Sequence, residues 1–89
     1  MPNGIYLTED LYVASALKTA GLKFIGVSKR GERGIFKFED SPSREKLVLD
    51  FYNGDLVQGV RQYVDNWMRL KKLVSGLNER DSKVNHETD

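Results

Sequence analysis

Leu22-Lys-Phe-Ile-Gly-Val-Ser28, then Lys29-Arg30-Gly31-Glu32-Arg33, then Gly34-Ile-Phe-Lys-Phe-Glu-Asp40 is the stretch whose reading decides the fold. Two β-prone runs flank a charged, Gly-containing segment, which predicts an antiparallel hairpin with a loop longer than two residues. Phe36 and Phe38 stand two apart, so in a strand they share one face, and Ile35, Lys37 and Glu39 share the other. An isolated hairpin is marginal in water, so the remainder of the chain must cover the aromatic face.

Upstream, Ile5-Tyr6-Leu7 predicts a short edge strand. Thr8 is a helix N-cap candidate, and Glu9 and Asp10 suit the positive end of a helix dipole. Leu11, Ala14 and Leu17 follow at helical spacing, with Val13, Ala16 and Ala20 widening the stripe, and Gly21 ends it. Downstream, Ser41 or Asp40 caps a second helix with Pro42 in its first turn. Its apolar side is Leu47, Val48, Phe51 and Tyr52, and Asn53-Gly54 stops it. The strongest helical period comes last: Val60, Tyr63, Val64, Trp67, Leu70 and Val74, with Ser75-Gly76 as the stop.

The element order is therefore strand, helix, strand, strand, helix, helix. Parallel first and second strands with the third between them give a three-stranded antiparallel sheet of order 1-3-2, an α+β fold with helices packed on one face. Phe36, Phe38, Phe51, Tyr63, Val64 and Trp67 are the expected core. Residues 1–77 make one domain, and 78–89 read as a disordered polar tail.

Composition bounds the chemistry. The chain has no Cys and one His, His86, inside the expected tail, so no cofactor, no metal site and no imidazole base held in place are expected. No apolar run approaches a membrane span and no charged-then-apolar leader opens the chain, so neither a membrane partner nor export is expected, and a Cys-free chain suits the cytoplasm. The acids of Glu9-Asp10 and Glu39-Asp40 precede helices, where they serve as capping groups. No serine has a base near it in a recognisable pattern, and the expectation is that the protein is not an enzyme.

Net charge is +1, from 14 basic and 13 acidic residues. Residues 79–89 hold four acids and two bases, which leaves 12 bases against 9 acids, or +3, for residues 1–78. A mildly basic body raises the question of nucleic acid. Arg33-Gly34-Ile35-Phe36-Lys37-Phe38 shares a basic residue, a Gly and alternating aromatics with the RNA-recognition signature. There an aromatic follows the Gly directly, whereas here Ile35 does, which puts the phenylalanines on the core-facing parity. Candidate phosphate contacts are Lys29, Arg30 and Arg33 in the hairpin and Arg61, Arg69 and Lys72 on the last helix.

The pattern also resembles a small uncharacterised domain family of bacterial and phage-like sequences. The residues that carry it are Thr8 and Asp10 before Leu11, Ala14 and Leu17; Gly21; Phe36-Lys-Phe38-Glu-Asp40; Tyr52-Asn53-Gly54 with Leu56; and Lys71-Lys72. The similarity spans about residues 5–74. It implies a compact domain of unknown function and transfers no catalytic or binding residue.

Two functions are expected in order. The first is a binding or accessory module acting through a protein partner or through self-association as a homodimer. Its candidate interface is Ile25, Val27 and Ile35 on the uncovered sheet face, with Met68 off the apolar stripe of the last helix. The second is weak, sequence-independent nucleic-acid binding through the cations named above.

Overall fold

A computed structural model describes residues 4–87, with the side chains described as far as residue 77. The elements are β1 (Ile5–Thr8), α1 (Leu11–Thr19), β2 (Phe24–Arg30), β3 (Arg33–Glu39), α2 (Arg44–Asn53) and α3 (Val60–Glu87). The strands form one antiparallel sheet of order β1-β3-β2, so the fold is α+β with the expected topology.

The hairpin is tighter than expected. Only Gly31 and Glu32 separate β2 from β3, and Arg30 stands opposite Arg33. Gly31 has φ +62° while Glu32 stays negative, which is the pattern of a type II′ turn, whose twist matches that of the flanking strands. Lys29, Arg30 and Arg33 are therefore strand residues and not loop residues.

The side of β3 that carries Gly34, Phe36 and Phe38 is buried. Phe38 meets Phe24 edge to face at 5.4 Å, and both β3 phenylalanines pack with Val13, Ala14 and Leu17 of α1 and Leu70 of α3. Burying one such ring completely contributes roughly 1.5–3 kcal/mol. Helix α1 is the centre of the domain, since Val13 through Leu17 are buried without a break. Small residues make this possible: Ala14, Ser15 and Ala16 let neighbours approach, and the Ser15 hydroxyl is satisfied by donating to the Leu11 carbonyl at 2.8 Å.

Local chemistry shifts some element ends. Asp10, not Thr8, caps α1: its carboxylate accepts from Tyr12 N–H at 2.8 Å and Val13 N–H at 3.3 Å. Thr8 instead accepts from Asp10 N–H, holding the strand-to-helix corner. Helix α2 begins at Arg44, after the Ser41-Pro42-Ser43 turn, and Gly54 ends it with φ +78° as the Asn53-Gly54 pair predicts. Helix α3 does not stop at Ser75-Gly76. A mid-helix Gly costs only about 1 kcal/mol relative to Ala, and the backbone continues to Glu87. The expected disordered tail falls largely on residues whose side chains lie outside the described part, and residues 88–89 lie outside it altogether.

The phase of α3 also differs from the expectation. Leu70 is fully buried, Tyr63, Trp67 and Val74 are half-buried, and Val64 is 43% exposed. Polar contacts to α1 rotate the helix: Asn66 donates to Thr19 Oγ1 at 3.0 Å and Tyr63 OH donates to the Tyr12 carbonyl at 3.1 Å. Trp67 sits at the rim of the core, stacked on Tyr12 at 6.5 Å and under the Lys71 ammonium at 4.8 Å. Phe51 is likewise half-buried at the edge of the core.

Candidate interaction face

All three helices pack on the Phe36 and Phe38 side of the sheet, and strand parity sends the alternate residues the other way. The register places Ile5 beside Glu39 and Leu7 beside Lys37, with Ile35 and Arg33 continuing the row along β3. On β2 the pair Lys37 to Gly26 and the pair Ile35 to Ser28 lie on this side. The result is an open face on which aliphatic and charged side chains alternate, with Lys37 on the middle strand between Leu7 and Gly26. Ile5 is 57%, Leu7 54% and Ile25 49% exposed, and Ile35 is half-buried between the edge strands. Charges mark its two ends, Arg30 and Arg33 at the turn and the Lys23–Glu39 pair at 4.0 Å opposite it, and Lys37 lies between them.

Val27 does not belong to this face. The β2–β3 register slips between Phe24 and Gly26, leaving Ile25 as the extra residue of a bulge. One inserted residue reverses the parity of everything after it. Val27 therefore stands opposite Phe36 on the helix side, where it packs against the core. Met68 is 55% exposed but lies on α3, on the helix side of the sheet, so it does not join Ile25 and Ile35. Two residues that sequence reasoning left out, Ile5 and Leu7, complete the face. Their period-2 spacing around Tyr6 was the available signal.

The candidate cations fall into two groups. Arg30 and Arg33 face each other at the turn end of the open face, with Lys29 next to them on β2, opposite Gly34. Arg33 also approaches Glu9, at 3.5 Å. Arg69 and Lys72 line an open groove of about 540 Å³ along α3, with Asp65, Met68 and Lys71. Arg61 lies two turns before Arg69, about 12 Å along the axis. The link between the groups is Lys71, which shares a cleft of about 410 Å³ with Arg33, Gly34 and Val74.

Beside Tyr6, at the β1 edge, Asp40 and Arg44 form an ion pair at 3.0 Å, and the guanidinium lies 4.3 Å from the centre of the Tyr6 ring. The Arg44 hydrogen bond holds the Asp40 carboxyl below its ordinary value against desolvation, with help from Ser41 N–H and the Arg44 charge. Arg44 is raised by the same bond. Burial raises the phenols of Tyr63 and Tyr52, with the Asp10 charge adding to it. Lys46 is raised by its hydrogen bond to Asp50, at 2.7 Å. These groups cap and brace helices. Among the described residues no three His, Cys, Asp or Glu side chains come together as metal ligands, and no helix is long and apolar enough to cross a membrane.

No curated protein and no solved structure matches the chain. A family model does, from residue 3 to residue 76, slightly wider at both ends than the span that carries the resemblance, and its description assigns no activity. On that match the chain belongs to the family described as a domain of unknown function, DUF5659.

Proposed function

We propose that this protein is a small, non-enzymatic binding or accessory module of the cytoplasm that acts through protein–protein contacts made on the open side of its sheet. The observation that carries the reading is the exposure of Ile5, Leu7 and Ile25 on the same sheet face as Ile35, with every helix packed on the opposite side. Several large aliphatic side chains left exposed on one side of a sheet mark a surface for a partner, and the charges among them supply polar contacts. Nucleic-acid contact takes second place, because Arg30 and Arg33 lie at one end of the sheet while Arg69 and Lys72 line the α3 groove.

Sedimentation equilibrium on two charge variants tests the reading. Leu7→Glu places a carboxylate on the open face beside Lys37, where the fold tolerates it, and should weaken association at least about tenfold. Met68→Glu, on the helix side, should leave association as in the wild type. The reverse pattern would overturn the reading.

A further inference from the structure

The two edges of the sheet are built differently. Edge strands expose unpaired backbone groups, and proteins guard them with bulges, charges or proline. β2 has two such guards, the Ile25 bulge and the cations Lys29 and Arg30. β1 has none: Ile5-Tyr6-Leu7-Thr8 carries no charge, no proline and no bulge.

The hydrogen-bond pattern identifies which β1 groups are open. Asp40 N–H donates to the Gly4 carbonyl at 2.8 Å. Antiparallel pairs alternate between bonded and non-bonded, so with the observed register the bonded pairs are Gly4 with Asp40, Tyr6 with Phe38 and Thr8 with Phe36. Ile5 and Leu7 therefore turn their N–H and C=O groups away from β3, towards the free edge. The same two residues carry the exposed side chains of the open face.

We infer that the occupant of this edge is a second copy of the chain, an inference that rests on the protein-contact reading above. β1 pairs antiparallel with its counterpart about a two-fold axis at Tyr6. Ile5 exchanges both backbone bonds with Leu7 of the second copy, and Leu7 with Ile5 of the second copy. The two sheets become one, in the order β2-β3-β1-β1-β3-β2. Self-pairing fits because the two outward residues flank a central one symmetrically, so a single register satisfies both copies.

Charge complementarity selects the second copy as well. Along the open face, the row through Ile5 reads Glu39 and Ile5, then Leu7 and Lys37 of the second copy. An anion ends one side of each row and a cation the other, and apolar side chains meet at the seam. On the helix side Tyr6 stands opposite Tyr6, a favourable cross-strand aromatic pair. The arginine over each ring is neutralised by Asp40 at 3.0 Å, so no net charge accumulates there. Stacking two open faces on each other would instead bury the Lys37 ammonium, which stands in the middle of the face.

Light scattering after size exclusion, run from low to high micromolar concentration, tests the inference with two variants. Leu7→Pro removes an outward N–H without breaking a bond to β3, and proline is tolerated on an edge strand. It should give a folded monomer, with association about thirtyfold weaker or more from the two N–H groups lost per dimer. Ile35→Glu, on the middle strand, should retain the dimer mass. If Ile35→Glu dissociates the dimer and Leu7→Pro does not, copies meet face to face; edge pairing is then overturned while the protein-contact reading stands. A wild type that is monomeric throughout also overturns the inference, and leaves the open face to a different protein. Should Leu7→Pro fail to fold, wild-type amide exchange decides. Protection of the Ile5 and Leu7 amides that grows with concentration supports edge pairing, and protection independent of concentration refutes it.

Discussion

Replacing Gly34 by Ala tests how the hairpin docks on α3. Gly34 lies on the helix side of β3, and its backbone is not in the positive-φ region, so alanine is conformationally acceptable there. Space is what opposes it. An added Cβ would lie 2.6 Å from Val74 Cγ2 and 3.3 Å from Val27 Cγ2. Ordinary carbon contacts are about 3.5–4.0 Å, so roughly 1 Å must be recovered. Val74 is β-branched in a helix, where one χ1 rotamer dominates, so it cannot swing aside cheaply. Overpacking of this kind costs about 1–3 kcal/mol, and the smaller unfolded-state entropy of Ala returns about 0.4–1. The expected net loss is about 1–2 kcal/mol, a melting-point drop of roughly 5–15 °C for a domain this size. Urea unfolding with an unchanged denaturant slope is the assay. The pair Gly34→Ala with Val74→Ala should be less destabilising than the sum of the single changes by about 1 kcal/mol, because the second change removes the colliding methyls. A neutral Gly34→Ala, or strict additivity in the pair, would refute this packing of α3 on the hairpin.

Two other expectations follow from the core and from the β1 corner. Phe38→Ala, at a fully buried ring, should cost about 3–5 kcal/mol and leave the domain largely unfolded by circular dichroism at ambient temperature; a loss under about 1 kcal/mol would contradict the assigned core. Asp40 is held below its ordinary value near 3.8 chiefly by Arg44, so the folded state binds its proton less tightly than the unfolded chain does. Its contribution is therefore present above that value and is lost as pH falls through the lower folded value. Urea unfolding across that acid range should show Asp40→Asn less stable than the wild type at neutral pH and converging with it in acid, and parallel curves would refute the assignment.

The sheet was legible because parity is a strong constraint. Phe36 and Phe38 must share a face, and with one hairpin and one earlier strand few arrangements cover it, so the order β1-β3-β2 could be read from spacing alone. What spacing could not show was the bulge. Phe24-Ile25-Gly26-Val27 alternates as regularly as an uninterrupted strand, and the inserted residue appears only in the pairing with β3. Unbroken alternation therefore puts both Ile25 and Val27 on the open face, although Val27 packs inward. The phase of α3 was missed for a related reason. Val60 and Val64 outscore Asn66 on any apolar count, but Asn66 has a partner in Thr19 and turns inward to reach it. Apolar periodicity cannot see a hydrogen bond between two helices distant in sequence. Ile5 and Leu7 were read as a strand but not as a surface, because the outward direction of their backbone groups depends on which pairs bond to β3.

The cations of the hairpin take on a different meaning once the edges are compared. Arg30 and Arg33 stand directly opposite each other, an arrangement that costs stability in a sheet. As a phosphate-binding patch the pair is small, and only Arg33 reaches towards the α3 groove, through the cleft it shares with Lys71. As protection it is well placed: with the Ile25 bulge it makes β2 a poor template, since an incoming strand would meet charge at one end and a broken register at the other. β1 carries nothing of the kind, and its two outward residues, Ile5 and Leu7, are both large, apolar and exposed. A sheet with one guarded edge and one open edge extends in a single direction and stops after one partner, because each second copy brings its own guarded β2 to the outside. Closed pairing of that kind yields a dimer, where two open edges would yield a fibre.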